Sequence, residues 1–544
     1  SGANYGTAGQ VLTSQGSGSA PTWTNKGTGA QGATGAQGAT GSQGSPGTNG
    51  AQGSPGTNGA QGQPGAQGNP GAASFTSISG TPSSYTARKY LRVNSAGTAL
   101  EYINSGLGLG AVNVRDYGAA GNGSTDDRTS IINAISALGA NGGTVYFPPG
   151  DYKIGSTITV NGNSGGDVVS NCIRFEGLSS PAQGGASDAG GSELFVAGGS
   201  NYNIFNFVGV EAVHMINLRV RGGNFFAASG SGSNSSNHAL RFEKTTHGGN
   251  DMLLENMVFC GVTRCVHLVG TGRVTLRKLT IGHVPDASGD IIKLEADSNS
   301  NRMDQIRIEG CVIDGAMHPD QDASRNSANG IGIYEHTNTI FISNTSVIRC
   351  NYNFYCDSGW NGEFLYFVNS EAERAKLDGF YINGGEFISI DNCFSCSNYR
   401  DGIRIEGNTT TSVSITNPNI RINNQHGINH QAGSLQDLSI VNPRIGGNSN
   451  GNSNNYSGIH LTNGTHNVYI GGGKSGGDGN LSGSAVQRAG IEIVGTSHDN
   501  IRVIGVNVNG NVTGGTVIDG SWGGSNNWLQ MNPGSTDYKS SGGL

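Results

Sequence analysis

Charged residues are scarce in this sequence, and long apolar runs are missing. Asp, Glu, Lys and Arg together make up 13% of the 544 residues, against a usual ~25% in globular proteins. The formal net charge is −7, a balance that does not favour a nucleic-acid partner. Because no stretch of ~18 apolar residues is present, the sequence predicts no membrane insertion.

Cysteine occurs eight times, but without the spacing of a disulfide framework. Cys393 and Cys396 form a Cys-x-x-Cys pair, yet no second pair completes a zinc site. Most of the other cysteines lie in apolar stretches such as 258–260. We therefore expect reduced thiols in the core, which suits assembly in a cytoplasm. The sequence predicts neither a metal nor a cofactor.

Glycine, in contrast, is abundant, with 93 residues, and in one stretch it is periodic. It occupies every third position from Gly29 to Gly71, with Gln, Thr, Asn or Pro at the third place of each triplet. Only glycine fits at the crowded axis of three polyproline-II chains, so this strict period predicts a collagen triple helix. A flexible glycine-rich linker would have no reason to keep the period. Since one chain cannot form this helix, we expect a homotrimer.

A short pattern flanks the collagen-like stretch on both sides. Residues 10–25 and 89–104 align with a shift of 79 positions, which places Leu12 on Leu91. Each segment has the order strand, Ser/Gly turn, strand, so the sequence predicts two small β-hairpins. This duplicated unit resembles the short stem module that recurs in phage tail-fibre proteins.

The segment 112–154 has a specific order of motifs. Asp-Tyr-Gly-Ala comes first, then Asp126 and Asp127, then an amphipathic helix that Gly139 stops, and last Gly-Thr-Val-Tyr-Phe-Pro-Pro-Gly-Asp-Tyr. This order strongly resembles the opening segment of the pectate-lyase superfamily β-helix domain found in many phage tailspikes. The resemblance implies a right-handed β-helix, a capping helix at 127–138 and a structural role for both aspartates.

An internal repeat of about 24 residues follows. Glycine or asparagine precedes an apolar residue at Gly330-Ile331, Asn353-Phe354, Gly379-Phe380, Gly402-Ile403, Gly427-Ile428, Gly458-Ile459 and Gly490-Ile491. A second register, asparagine after an apolar strand, occurs at Asn344, Asn369, Asn392, Asn417 and Asn442. Two registers that advance together predict stacked rungs of short strands. We therefore expect an all-β fold, a parallel β-helix. The Leu-x-x-Leu-x-Leu signature of leucine-rich repeats is missing.

These patterns divide the chain into five expected parts. They are an N-terminal β stem module (1–26), a collagen-like triple helix (27–73), a second β stem module with a hinge (74–110), a parallel β-helix with an N-terminal capping helix (111–515) and a C-terminal tip (516–544).

Stacking places residues of equal register on neighbouring rungs, about 4.8 Å apart. Asp378, Asp401 and His426 hold the same position on three consecutive rungs. Two neighbouring carboxylates suit a glycosidase pair, and their mutual repulsion raises one pKa. These three are the candidate catalytic residues, with Glu371 and Glu406 as runners-up. The structural alternative stays open, because Asp-Gly is a common turn dipeptide.

A second column, on the other side of the same strands, contains Asp357, Asn383, Glu406 and Gln431. Asp357 and Asn383, together with nearby Trp360, are the candidate glycan-binding residues, because an indole ring can stack on a sugar. The alternatives are solvated charge for the acidic residues and a core or trimer-interface position for the tryptophan.

The family's catalytic residues cannot be carried over to this sequence. Polygalacturonase-like members have an Asn-Thr-Asp, Asp-Asp and Gly-His-Gly series followed by Arg-Ile-Lys. Neither His283 nor His426, the nearest histidine contexts, has that series around it. The signatures of calcium-dependent pectate lyases are missing as well, so the resemblance supports the fold and not the chemistry.

These features together predict a trimeric phage tail fibre or tailspike that binds host cell-surface polysaccharide during adsorption. Its N-terminal end would attach to phage tail or baseplate proteins, and the protein would reside in the virion tail after assembly in the host cytoplasm. Two alternatives remain open. One is a polysaccharide depolymerase, an endo-glycosidase or lyase, and the other is a bacterial surface or matrix adhesin that shares these modules.

Overall fold

The structure of the protein is a computed structural model. It describes residues 10–13, 22–25, 90–93, 98–103, 110–162, 168–169, 172–178, 190–196, 202–222, 238–245, 250–286, 288–296, 302–316, 326–407, 410–450, 455–462, 464–476, 487–495, 498–512, 514–519, 527–530 and 538–540. The chain divides into two compact units, Ser1–Tyr85 with Arg92–Glu101 and Thr86–Leu91 with Tyr102–Leu544. Within the described ranges, no helix is long and apolar enough to cross a membrane.

Two short two-stranded sheets lie in the N-terminal part of the chain. Strands Gln10–Thr13 and Thr22–Asn25 pair antiparallel. Strands Tyr90–Val93 and Leu100–Ile103 form the second sheet. Both sheets occur where the duplicated pattern predicts hairpins. The collagen-like stretch 27–73 lies outside the described residues.

Three long parallel sheets form the body. The strands of the first sheet are Ile158–Asn161, Val168–Val169, Phe205–Val208, His238–Glu243, Arg264–Val269, Gly289–Glu295, Ala328–Ile333, Phe354–Cys356, Phe380–Asn383, Ile403–Glu406, Ile428–Ala432, Ile459–Leu461, Ala489–Val494, Gly514–Asp519 and Tyr538–Ser540. The strands of the second sheet are Ala111–Asn113, Gly143–Tyr146, Cys172–Glu176, Ala212–Ile216, Asn250–Glu255, Gly272–Arg277, Ile306–Glu309, Ile340–Ser343, Glu363–Val368, Glu386–Asp391, Thr410–Thr416, Leu435–Val441, Thr465–Gly471, Asp499–Ile504 and Trp528–Gln530. The strands of the third sheet are Asn122–Asp126, Gly150–Ile154, Ser192–Val196, Arg219–Arg221, Val258–Cys260, Thr280–Gly282, Val312–Asp314, Ser346–Ile348, Glu371–Glu373, Phe394–Cys396, Asn419–Arg421, Arg444–Gly446 and Lys474–Ser475. Because the chain visits the three sheets in turn, the body is a parallel β-helix, as the repeat predicts.

The predicted repeat register is the register of the first sheet. Ile331, Phe354 and Phe380 are partners on three successive strands, and Ile403 and Ile428 continue the column. All five side chains are buried, since alternate residues of each strand face the interior of the coil. The rings of Phe354 and Phe380 stack with their centroids 4.7 Å apart. Burial of such columns is the main source of stability of the body.

Four of these apolar residues follow a glycine, and close packing between rungs requires that glycine. A Cβ on Gly402 would lie 2.7 Å from the carbonyl oxygen of Gly427, and a Cβ on Gly427 would lie 2.5 Å from that of Gly458. Both contacts are to backbone atoms, which cannot rotate away as a side chain can. Glycine at these corners therefore allows successive rungs to approach each other closely.

The predicted asparagine register forms a ladder on exposed corners. Asn369, Asn392 and Asn417 have positive φ angles of 49°, 55° and 49°, a conformation that asparagine tolerates better than most residues. The Asn392 amide donates to Oδ1 of Asn369 at 2.7 Å, and the Asn442 amide donates to Oδ1 of Asn417 at 2.9 Å.

A second asparagine ladder is buried, and the sequence analysis missed it. The Nδ2 of Asn398 donates to Oδ1 of Asn423 at 2.8 Å, and the Nδ2 of Asn423 donates to Oδ1 of Asn448 at 2.9 Å. Gln487 accepts from Asn448 at 3.2 Å. Each buried amide thus has a partner on the next rung, as burial of polar groups requires.

The capping helix runs from Arg128 to Ser136, which is shorter at both ends than the expected 127–138. Asp127 precedes it and is fully buried. Its carboxylate accepts hydrogen bonds from the backbone N–H groups of Ala120 at 2.6 Å and Gly121 at 3.0 Å. The aspartate therefore holds the preceding loop against the helix, which fits a structural role.

All eight cysteines are free thiols. Six of them are buried and Cys396 is half-buried, but Cys172 is exposed. The expectation of a core position is therefore wrong for Cys172, which stands at the start of a second-sheet strand.

We expect Gly402→Ala to lower the free energy of unfolding of the body by roughly 1–3 kcal/mol, the usual cost of forcing extra atoms into a packed site. Gly282→Ala is the matched control, because a Cβ on this third-sheet glycine would have nothing within 4 Å. Thermal unfolding followed by circular dichroism measures the difference. Equal melting temperatures for the two variants would contradict the prediction.

Candidate functional site

The outward side of the first sheet brings together six of the residues that the sequence analysis selected. They lie within or at the ends of consecutive strands: Asp357, Asp378, Asn383, Asp401, Glu406 and His426. We call this side, from strand Gly289–Glu295 to strand Ile459–Leu461, the polar face. The stacking that the sequence predicts for these residues is therefore present.

Asp378, Asp401 and His426 link successive rungs through the backbone. The N–H of Asp401 donates to Oδ1 of Asp378 at 2.9 Å, and the N–H of His426 donates to Oδ1 of Asp401 at 2.8 Å. The N–H of Ser457 in turn donates to Nδ1 of His426 at 3.0 Å. Asp378 and Asp401 are 0% exposed, so this geometry gives no support to direct contact between either carboxylate and a substrate.

Two arginines compensate the buried carboxylates. The Arg400 guanidinium pairs with Asp378, with Nε 2.9 Å from Oδ1. Arg404 bridges two carboxylates, since its Nη1 lies 3.1 Å from Oδ2 of Asp401 and its Nε lies 2.6 Å from Oε1 of Glu406. Glu406 keeps part of its surface in solvent, so it is the carboxylate of this group that a ligand can reach.

Burial, together with the charge of neighbouring Asp378, raises the pKa of Asp401 to about 7. Burial also raises the pKa of Asp378, against the opposing effect of its pairing with Arg400. Two adjacent carboxylates with raised pKa values retain a proton near neutral pH more readily than exposed ones do.

A ladder of tyrosines runs along the polar face and was not predicted. The ring centroids of Tyr334 and Tyr355 lie 6.0 Å apart, and those of Tyr355 and Tyr381 lie 5.4 Å apart and stack. Tyr352 packs beside them, with its centroid 4.8 Å from that of Tyr381. All four rings are half-buried, so each keeps part of its surface open to solvent.

Three of these tyrosines donate their hydroxyl hydrogen to a carboxylate. Tyr355 bonds Oδ1 of Asp357 at 2.9 Å, and Tyr381 bonds Oε2 of Glu406 at 2.9 Å.

Tyr334 bonds Oδ2 of Asp290, also at 2.9 Å. Burial and the nearby carboxylate raise the pKa of each of these three phenols. These phenols therefore remain protonated, and their hydrogen bonds fix the orientation of the hydroxyl groups. The sequence contains a signal for this tyrosine ladder, because Tyr355 and Tyr381 each directly follow the apolar residue of the repeat.

Two histidine rings lie at the C-terminal end of the polar face. His426 and His460 stack with their centroids 4.2 Å apart, and Nδ1 of His460 lies 2.8 Å from Oδ1 of Asn429. Burial lowers the pKa of His460 to about 4 and that of His426 well below its usual value. Both rings are therefore neutral near pH 7 and serve as hydrogen-bonding groups.

Three further predictions about this region need correction. Trp360 is 1% exposed and its indole N–H donates to the carbonyl of Thr337 at 3.0 Å, so it is a core residue and cannot stack on a sugar. Gln431 leaves the predicted column, because a register shift pairs Glu406 with Ala432.

Glu371 lies on the third sheet, away from the other candidates, where it accepts a hydrogen bond from Oγ of Ser346 at 2.8 Å. Among the described residues, no group of three or more His, Cys, Asp or Glu side chains is placed to hold a metal ion.

Two parts of the chain match known protein families. Residues 111–169 match the family described as rhamnogalacturonase A/epimerase, pectate lyase-like. The body opens with a pectate-lyase-like segment. Residues 25–83 match the collagen triple helix repeat. Both matches fall where the sequence motifs predict them.

The relatives of the pectate-lyase-like segment are similar over a short stretch. Mannuronan C5-epimerase AlgE6 of Azotobacter vinelandii is 56% identical over 43 residues, which are 8% of this chain and 5% of that protein. The chain spans less than a tenth of the length of the first such relatives.

Solved structures with a similar body include bacteriophage CBA120 tailspike protein 3, with a TM-score of 0.48 and 13% identity over 83% of this chain and 66% of that one. The A-module of Azotobacter vinelandii mannuronan C-5 epimerase AlgE4 has a TM-score of 0.47 and 16% identity over 77% of this chain and 100% of that one.

His430 lies in the core behind the polar face. It occupies a column position between Ile405 and Leu461, is fully buried, and has no hydrogen-bond partner on either ring nitrogen. Burial lowers its pKa to about 4.

We expect His430→Leu to make the body less sensitive to acid. The folded pKa lies below the value of ~6.5 in the unfolded chain, so this group's contribution to stability is present above pH 6.5 and is lost as the pH falls through 4. Between pH 7 and 4 the variant should gain roughly 3 kcal/mol in unfolding free energy relative to wild type. Unfolding measured over that pH range tests this, and parallel curves would contradict it.

Proposed function

We propose that this chain is a subunit of a trimeric fibre that binds cell-surface polysaccharide through the polar face of its β-helix. The observation that carries this proposal is the tyrosine ladder. The half-buried rings on successive rungs form an extended strip of aromatic surface. Their hydroxyl groups donate hydrogen bonds to carboxylates, which places polar groups at fixed positions beside the strip.

The chemistry of that strip suits a carbohydrate chain. Sugar rings present apolar C–H surfaces that pack on aromatic faces, while their hydroxyls need hydrogen-bond partners, and Tyr supplies both an apolar body and a polar rim. Asn383 contributes an amide that donates to the Tyr381 hydroxyl at 3.0 Å. Glu406 and Asp357 supply partly exposed carboxylates next to the rings.

The collagen repeat supports the trimer, because this helix needs three chains. Three polar faces on one particle would bind a repetitive polymer with avidity well above the affinity of one face. We further propose that the particle is a phage tail fibre or tailspike in the virion tail, assembled in the host cytoplasm. Its N-terminal stem modules would join the tail or baseplate proteins. The expected domain boundaries, 1–26, 27–73, 74–110, 111–515 and 516–544, are part of this proposal.

We expect Tyr381→Ala to weaken binding of host capsule or lipopolysaccharide polymer by more than about fivefold, because an aromatic contact is worth ~1 kcal/mol at one site and the losses add when three sites bind together. Trp528→Ala is the control, since Trp528 is an exposed aromatic residue outside the polar face. Biolayer interferometry on immobilised polysaccharide measures both. Equal losses in the two variants would argue against the polar face.

One observation favours a second candidate, a polysaccharide depolymerase. Asn383 and Glu406 are partners on successive strands of the polar face, and Asp357 directly follows the strand of the preceding rung. Two rungs separate the backbones of Asp357 and Glu406 by roughly 10 Å, close to the ~6.5–9.5 Å between the carboxyl groups of an inverting glycosidase. Both side chains are partly exposed, unlike Asp378 and Asp401.

If the protein cleaves its polysaccharide, we expect Glu406→Gln to abolish the release of new reducing ends or unsaturated uronates. Asp401→Asn is the comparison, because this buried carboxylate contacts the backbone and not the ligand. Activity that survives in Glu406→Gln but disappears in Asp401→Asn would reject this pair. Binding without any cleavage by wild type leaves the adhesive function alone.

A further inference from the structure

The middle residues of the second-sheet strands form an outward row without charge over six rungs. The row consists of Phe341, Tyr366, Ser389, Ser414, Ser439 and Tyr469. Their strand neighbours on either side are buried in the core. We call these six residues the uncharged row.

On the second sheet itself, charge flanks the row, at Glu363 and Glu386 near the strand starts and at Arg307 and Arg502 on the rungs beyond its two ends. The other two sheets carry charge within their outward columns at the same rungs. Outward positions of the third sheet hold Glu371, Arg444 and Lys474 in one column. The polar face of the first sheet holds Arg404 and Glu406 on a single strand. An outward surface of a solvated β-helix ordinarily carries charge, so the uncharged row is unusual within this body.

Aromatic residues mark one end of the uncharged row. Phe341 and Tyr366 stack with their centroids 4.7 Å apart. At the adjacent corner Phe364 and Phe387 stack at 5.1 Å, although they are 37% and 46% exposed. Both also have positive φ angles, 61° and 54°, which a bulky residue adopts only at a cost. The φ angle is also positive at the same corner of the next two rungs, at Ser412 and Asp437, so it belongs to the turn. The exposure of the two stacked rings is what indicates a surface that is covered in the assembly.

We propose that the uncharged row packs against the two other copies of this chain, around the threefold axis of the trimer. The collagen repeat needs three chains in parallel and matches this sequence at 25–83. Three bodies tethered in this way meet at an effective concentration in the millimolar range, so a modest apolar surface suffices to hold them together.

Symmetry explains why this row and not another faces the axis. A residue on a threefold axis meets two copies of itself at the same height, so a charged residue there would repel its own copies. Tyr366, Ser389 and Ser414 can be repeated three times without that penalty. The small serines also allow close approach of the sheets, between aromatic residues at either end. This inference rests on the trimer proposed above and does not depend on glycan binding.

Thiol accessibility in the full-length chain tests the proposal. Cys172→Ser and Cys396→Ser first remove the exposed and the half-buried native thiol, and Ser389→Cys or Ser346→Cys is then added. Both serines are half-buried and point outward, one on the second sheet and one on the third. In a particle with the mass of three chains by light scattering, we expect maleimide to label position 389 at least tenfold more slowly than position 346.

A lysine at the same two positions gives an independent result. We expect Ser389→Lys to lower the melting temperature of the three-chain particle, while Ser346→Lys, beside Glu371, leaves it unchanged. Equal labelling rates and equal melting temperatures in a three-chain particle would overturn the location of the interface. A mass of one chain would overturn the trimer itself, and the Tyr381→Ala binding test would still report on the polar face separately.

Discussion

The close approach of successive glycine corners is the constraint on which the rest of this body depends. With Gly402 against the carbonyl of Gly427, and Gly427 against that of Gly458, each rung can settle only in one register on the next. A residue's neighbours above and below are then set by its place in the repeat. Columns of one residue type follow directly, from stacked phenylalanines in the core to amide ladders at the corners.

The same constraint separates structural from accessible chemistry on the polar face. Side chains that directly precede a glycine corner, Asp378 and Asp401, are drawn into the rung interface, where they accept backbone hydrogen bonds and lose contact with solvent. Side chains on the open pleat of the strands, Tyr381 and Glu406, keep their outer surface. Position within the rung therefore decides whether a carboxylate supports the stack or faces a ligand.

The repeat made most of the fold predictable, because the glycine–apolar and asparagine signals recur on successive rungs and each has one physical cause. Residues that do not follow the repeat were harder to predict from the sequence. Trp360 follows a strand at a non-repeating position, so its burial left no pattern to detect. The bulge after Ile405 displaced Gln431 from its column. The tyrosine ladder was missed because Tyr334 lies three residues after its apolar marker, Ile331, while Tyr355 and Tyr381 lie one residue after theirs.

The buried amide ladder has a consequence for how such a fibre can vary in length. Asn398, Asn423 and Asn448 each offer a donor to the rung on one side and an acceptor to the rung on the other. Loss or duplication of one whole rung would leave every amide with an equivalent partner. Loss or duplication of part of a rung would leave one amide in the core without a hydrogen-bond partner. The reach of the body can therefore change in steps of about 4.8 Å, with its cross-section and its outward columns retained.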